Sequence, residues 1–396
     1  MKRILAFSIV SDPANPDNSP YMDWQRFRTH FPVTAHWAFL DHAAVAAPPD
    51  VCANAIAEWA HDKSINGILS YSPWARRVEE TRARAGRLLN ADPLDVCFVG
   101  STTHGIGIIA EGFPWKPGDN VVIVAEEYPS NQYPWINQRD RGVEARSVIS
   151  RGNRVDIADI RDAMNSRTRV LAISSVEFAS GFRNDLAALG ELCRQRGTFF
   201  FVDAIQSLGV IPLDLQQLPI DALAADSHKW LLGPEGAGIA YVRREWVDRL
   251  HATGVGWNSV VNAIDFSTID LRMKPHAGRW EGGTVNVGGI AGMGESLQLL
   301  LNAGIDHVWE RVQELTNYLC ERVQSAGLEV FSSQVPGEES GIVSLLSPGR
   351  DPRELLKDCK AAGVIVNLRG GRLRVSPHAY NSFEEIDRFV EAVSPR

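Results

Sequence analysis

The chain lacks most of the features that would announce a secreted, membrane, metal-binding or nucleic-acid-binding protein. Only five of its 396 residues are cysteine, at positions 52, 97, 193, 320 and 359. Their number is odd, their spacing wide, and no Cys-x-x-Cys pair occurs, which excludes a disulfide framework or cysteine zinc site and reads as reduced thiols. The ten histidines are equally scattered, with no pair at the helical spacing of a metal site, so no metal is expected. No apolar run approaches the ~20 residues that span a bilayer, so no membrane segment is expected. Blocks of like charge, internal repeats and low-complexity tracts are missing too. A net charge of −8 argues against nucleic acid or an anionic membrane as a partner.

The N-terminus holds one ambiguous stretch. Met1-Lys2-Arg3 and the apolar run from Ile4 to Val10 imitate a secretory signal, but Ser8 interrupts the run and no small-residue cleavage site follows. The chain is therefore read as cytoplasmic. Residues 1–34 read as an N-terminal arm, loop-like over 11–20, where Pro, Asn, Asp and Ser concentrate.

What is present is ordinary globular composition, 44% apolar and 22% charged, in a chain long enough for two domains. From Leu40 to Val242 helical and extended patterns alternate. Helices are expected over 50–63, 74–90 and 185–196, and strands over 96–99, 120–125, 143–148, 169–176, 198–202 and 238–242. This alternation implies an α/β fold with a mostly parallel sheet covered on both faces. After Ile290 come a long helical region over 293–326, short strands at 341–346, 364–367 and 373–376, and helices at 352–362 and 383–393. The expected division is a large domain over 35–289 and a smaller α+β domain over 290–396.

The chemistry concentrates in a few places. Phe199 to Val202 is an apolar strand that ends in Asp203, with Gln206 just beyond, and α/β folds gather ligand chemistry at such strand ends. Asp226-Ser227-His228-Lys229 follows, before the turn Gly233-Pro234-Glu235-Gly236. A lysine amine forms an imine with an aldehyde cofactor. A nearby carboxylate keeps a pyridine nitrogen protonated and makes the ring an electron sink. By itself a lysine reads as a surface residue; Asp203, Gln206, Ser227 and His228 are what make Lys229 a cofactor lysine. The strand-to-helix turn Gly100-Ser101-Thr102-Thr103 offers N–H groups and hydroxyls to a phosphate. Tyr128 offers an aromatic platform, although packing beside Pro129 would account for it equally.

One motif points elsewhere. Gly105-Ile106-Gly107-Ile108-Ile109-Ala110 matches the dinucleotide pattern, with Glu126 and Glu127 about twenty residues on. The strand-to-helix turn is already taken by Gly100 to Thr103, so these glycines fall inside a helix and serve close packing on the sheet. An NAD-dependent oxidoreductase is kept only as a distant alternative.

Six segments occur in order along the chain: Leu40-Asp41-His42-Ala43-Ala44, Ser101-Thr102-Thr103, Val202-Asp203-Ala204-Ile205-Gln206, Ser227-His228-Lys229, Glu281-Gly282-Gly283-Thr284-Val285-Asn286 and Leu373-Arg374-Val375-Ser376. In these the chain resembles the class V aminotransferase family, the fold-type I pyridoxal-phosphate (PLP) enzymes that include cysteine desulfurases, isopenicillin N epimerase and kynureninase-like proteins. The resemblance implies a PLP cofactor, a small amino-acid substrate and a homodimer. It makes Lys229 the Schiff-base lysine and the acid/base for the α-proton. Asp203 would pair with the pyridine nitrogen and Gln206 with the ring's phenolic oxygen. Thr102, Thr103, Ser227 and His228, with the Ser101 turn, would hold the phosphate, and Thr284 would reach it from the other subunit. Tyr128 stands where many relatives have a stacking histidine. Arg374 would clamp the substrate's α-carboxylate, a task suited to a planar guanidinium. Arg372 is either a second substrate arginine or a turn residue. His42, grouped with the substrate contacts, and His104 are either participants or satisfied polar residues.

Two departures from the desulfurases stand out. Phe178 replaces their asparagine, and Asn367-Leu368-Arg369-Gly370-Gly371-Arg372 replaces the loop that carries their nucleophilic cysteine. The implied reaction is therefore α-proton removal leading to aminotransfer or isopenicillin-N-epimerase-like chemistry. A PLP-dependent β-lyase (C–S lyase) or desulfurase-like reaction is the alternative.

Overall fold

A computed structural model describes residues 22–395; the part of the expected arm over 1–21 lies outside the described residues. Seven strands form the central sheet: β1 (Val96–Val99), β2 (Asn120–Val124), β3 (Glu144–Val148), β4 (Thr168–Ser174), β5 (Phe199–Asp203), β6 (Ala222–Asp226) and β7 (Gly238–Val242). Their spatial order is β1-β7-β6-β5-β4-β2-β3. Pairings from β3 through β6 are parallel, and β7 runs antiparallel to both β6 and β1. Strands β1, β2, β5, β6 and β7 are buried at every position. A sheet covered on both faces demands this, and it is why these strands read as unbroken apolar runs rather than alternating ones.

The main helices are α1 (Asp50–Asn66), α2 (Tyr71–Leu89), α3 (Thr102–Gly112), α4 (Leu186–Arg196), α5 (Val287–Ala303), α6 (Ile305–Ser325), α7 (Pro352–Ala361) and α8 (Phe383–Val393). The expected single helical region over 293–326 is thus two helices. Gly304, at φ 79°, separates them in a backbone conformation that side chains disfavour. Helix α5 lies close against α1 and α2, with Gly288 against Trp59 and Gly294 against Thr81. The expected division after residue 289 falls inside α5. In addition, Ala38–Phe39 pairs with Val364–Ile365, and Asp41 bridges to Ser376, so this segment runs with the C-terminal part of the chain.

The smaller sheet contains β8 (Val343–Leu346), β9 (Asn367–Arg369) and β10 (Arg372–Val375), antiparallel in the order β9-β10-β8 with Glu329–Val330 at the far edge. Leu315, Leu319, Leu355 and Phe389 from α6, α7 and α8 form its core with Leu345 and Leu373. Between β9 and β10 the turn is Gly370-Gly371, at φ 54° and 74°. Positive φ at both central residues is the tight two-residue hairpin whose twist matches its strands. Among the described residues no helix is long and apolar enough to cross a membrane.

Candidate active site

The site lies where β1, β2, β4, β5 and β6 end. Asp203 closes β5, Asp226 closes β6, and Lys229 follows on the turn beyond it. Burial pushes the Lys229 amine down to about 8, helped by Arg374 and Arg369 and opposed by Asp203. Its Nζ sits 5.7 Å from the centre of the Tyr128 ring. Asp203 is 2% exposed, and burial pushes its carboxyl up to about 6, against the Ile205 N–H and the Lys229 charge. Gln206 is held at both ends: Nε2 donates to Ala43 O (3.1 Å) and Oε1 accepts from Trp230 Nε1 (3.0 Å).

Two further acids back Asp203, and the sequence reading missed both as site residues. Glu127, just past β2, accepts from the backbone N–H and the hydroxyl of Ser174. Glu177 accepts from Asn184 Nδ2 at 2.9 Å through Oε1, while its buried Oε2 has no partner. Burial raises both, Glu177 to about 8, so each keeps its proton more readily than an ordinary glutamate. The signal available in the sequence was the one used for Asp203, an acid at the end of a buried strand.

On the phosphate side, Ser101 caps α3, its Oγ accepting from His104 N at 3.1 Å. Thr102 Oγ1 accepts from Asp226 N (2.9 Å), which ties β6 to this turn, and Thr103 Oγ1 donates to Ser130 Oγ (2.8 Å). His104 Nδ1 accepts from Gly100 N at 3.3 Å and so closes the turn. Ser227 is fully buried and its hydroxyl donates to Pro234 O at 2.7 Å, bracing the Gly233-Pro234 turn. His228 Nδ1 lies 3.1 Å from Asp226 Oδ2. Thr284 is exposed and lines a hollow of about 280 Å³ with Gly100, His104, Gly236 and Asn286 of the same chain.

On the substrate side, Tyr128 meets Phe178 edge-on, at 5.3 Å and 79°. Arg374 is 1% exposed, donating from Nη1 to Phe178 O (3.0 Å) and from Nη2 to Asp41 Oδ1 (3.2 Å). For His42 the geometry favours the satisfied polar reading. The side chain is fully buried, with Nδ1 on Ser376 O (2.9 Å) and Nε2 on Tyr380 Oη (2.8 Å), so both ring nitrogens are engaged inside the protein. Desolvation pushes it down to about 4 and keeps it neutral. Of the two readings of Arg372, the structure places neither in full. Its Nε donates to Ser344 Oγ (3.0 Å) and its guanidinium lies 3.9 Å from the Phe331 ring centre. The second arginine acting on Lys229 is Arg369.

All five cysteines are buried. Burial pushes Cys52 and Cys320 to about 11 and Cys359 to about 12, and carries Cys97 and Cys193 upward as well. None is a poised thiolate.

Residues 38–389 match the family model for aminotransferase class-V. The chain belongs to the class-V aminotransferase family. A cysteine desulfurase of Klebsiella pneumoniae is 30% identical, over 92% of this chain and 96% of that one. A probable cysteine desulfurase of Methanothermobacter thermautotrophicus is 28% identical, over 94% and 98%. Among solved structures, the cystine C-S lyase C-DES in complex with cysteine persulfide superposes with a TM-score of 0.86 at 21% identity, over 92% of this chain and all of that one. As a class-V member, this chain is a PLP-dependent enzyme of fold type I. Its own residues fit the cofactor: a buried amine of lowered basicity opposite a buried carboxylate, with a capped helix start at the same strand ends.

Proposed function

We propose that this class-V enzyme removes the α-proton of an amino acid with Lys229, as an aminotransferase or an isopenicillin-N-epimerase-like enzyme. The observation that carries this reading is the Lys229 amine, held near neutrality between Asp203 and the Arg374 side of the site. Bound PLP supplies an electrophilic aldehyde and an electron sink. Lys229 holds the cofactor and moves the proton; Asp203 stays anionic against the pyridine nitrogen; Gln206 faces the phenolic oxygen. The Ser101–Thr103 turn and His228 take the phosphate, Arg374 orients the substrate by its carboxylate, and Tyr128 and Phe178 wall one side.

A second reading, cleavage of a substrate C–S bond by β-elimination or by a desulfurase-like reaction, is favoured by the desulfurase names of the relatives. The buried, weakly acidic thiols speak against a sulfur carrier on the protein, so in that reading sulfur leaves with the small product. Incubation of the holoenzyme with single amino acids, followed by product analysis and protein mass spectrometry, separates these outcomes. The expected result is a keto acid or an inverted amino acid and no sulfur on the protein. Pyruvate with sulfide or persulfide would establish the lyase, and a sulfur adduct on one cysteine the desulfurase.

We further infer a homodimer in a reducing compartment, the cytoplasm. The dimer is supported by two exposed apolar strips, one with Ile264, Phe266, Ile269 and Leu271 and one with Ile65, Ile68 and Leu69. Thr284 is assigned to the partner's phosphate.

A further inference from the structure

The hairpin that replaces the desulfurase cysteine loop brings its own charge to the substrate side. Asn367 pairs with Arg374 and Arg369 with Arg372 across β9 and β10, so the four side chains leave one face of the sheet. Arg372 leans over β8 to Ser344 and Phe331. Arg369 leans the opposite way, its Nη1 donating to Asn367 Oδ1 (2.9 Å) and Leu368 O (2.8 Å). Asn367 in turn donates from Nδ2 to Asp41 Oδ2 (2.9 Å), and the other Asp41 oxygen accepts from Arg374. A continuous network therefore runs Arg369, Asn367, Asp41, Arg374.

Charge along this network is uneven. Arg374 is buried and already paired with Asp41 at 3.2 Å, and its Nη1 is committed to Phe178 O. That pair is neutral as a unit. A substrate carboxylate placed against Arg374 alone would add a second anion to one cation in a desolvated site, which is costly. Arg369 has carbonyl acceptors and, among the described residues, no ion pair within 4 Å; Asp41 feels its charge but gives its oxygens to Arg374 and Asn367, and that charge is also felt at Lys229. The geometry points to Arg369, held in place by Asn367, as a further ligand of the substrate α-carboxylate, which it neutralises while Arg374 stays balanced by Asp41.

This inference rests on the amino-acid reading above. The test titrates the visible spectrum of the holoenzyme with the common amino acid giving the strongest response, and with the amine that its decarboxylation would leave. Wild type should prefer the amino acid. Arg369→Gln should weaken the amino acid about 10- to 100-fold and leave the amine unchanged, and Arg369→Lys should recover part of the loss. In steady state the loss should fall on KM rather than kcat. An Arg369→Gln enzyme that keeps the wild-type spectrum and the wild-type preference overturns the assignment. Equal loss for amino acid and amine would also overturn it, because it would report a disturbed hairpin rather than a missing carboxylate ligand. A wild type that prefers no amino acid to its amine overturns the amino-acid reading itself, and this inference with it.

Discussion

At the scale of single residues, one physical cause sets the two groups on which the reaction turns. Burial disfavours charge, so it lowers the basicity of Lys229 to about 8 and raises Asp203 to about 6. The signs can be followed through a pH series. Below pH 6 Asp203 is protonated and Lys229 cationic; between the two values Asp203 is anionic while most Lys229 still holds its proton; above 8 the amine is free to attack. The rate at which apoprotein takes up PLP onto Lys229 should rise through this interval by about tenfold per pH unit and level off above 8. Rapid mixing, with borohydride fixing the Lys229 adduct, measures it. A rate still climbing tenfold between pH 9 and 10 would show an ordinary, solvated lysine. Asp203→Asn removes the charge that supports Lys229 protonation, so the plateau should begin at lower pH. Turnover should nevertheless fall by on the order of 10²-fold, because the pyridine nitrogen loses its counter-charge.

Secondary-structure elements were legible in the sequence wherever a local rule decides them. Most of the buried strands read as apolar runs, the main helices between them and the turn at Ser101 follow from helical period and capping, and Asp203 and Lys229 stand near strand ends. Strand β6 (Ala222–Asp226) was not expected, because its Ala-rich run carries little strand preference of its own. The rest depends on register or on distant partners. His42 is engaged by Ser376 and Tyr380, more than 300 residues away in sequence, so nothing near it reveals that its nitrogens are occupied. Arg369 and Arg372 flank the same turn, and only the hairpin register and the third strand decide which leans toward Asp41. Glu177 stands next to Phe178 in the sequence, but its burial beside Glu127 depends on strands far apart in the chain.

The dinucleotide-like glycines of α3 test how the helix packs on the sheet. A Cβ on Gly105 would stand 2.5 Å from the Ala224 Cβ, whereas one on Gly107 would meet nothing within 4 Å. Close packing on the sheet therefore explains the first glycine and not the second. Gly105→Ala should destabilise the apoprotein by about 1–3 kcal/mol through overpacking. Gly107→Ala should stabilise it by about 0.5–1 kcal/mol through helix propensity. Urea unfolding of the two variants gives the comparison; equal effects would mean that the α3–β6 contact is looser than drawn.

Across the whole molecule, the exposed apolar strip of residues 264–271 calls for a covering surface. Ile269 is 97% exposed and Leu69, on the second strip, 85%, values at which isolated apolar side chains in water have little to recommend them. The chain leading to the strip packs at Gly256 against Gly282, two residues from Thr284, so an interface reaching from the strip to that contact would put Thr284 at the subunit boundary. The alternative is that Thr284 serves its own chain, since it already shares a hollow with Gly100 and His104. Co-expression of a Lys229→Ala chain with a Thr284→Asp chain distinguishes them. Each variant alone carries a lesion in every site and should be nearly inactive, the aspartate by repelling the phosphate. If Thr284 acts across the interface, a mixed dimer assembles one site with both residues intact. Random pairing makes half the dimers mixed, with one of two sites whole, so about a quarter of wild-type activity should return. If Thr284 acts within its own chain, every site in the mixed dimer keeps one lesion and nothing returns. Phe266→Asp should meanwhile shift the wild-type chain toward monomer in sedimentation, because it places a charge at the centre of the strip. Recovery of activity together with that shift would fix the strip as the interface; a silent mixture would return Thr284 to the site of its own subunit.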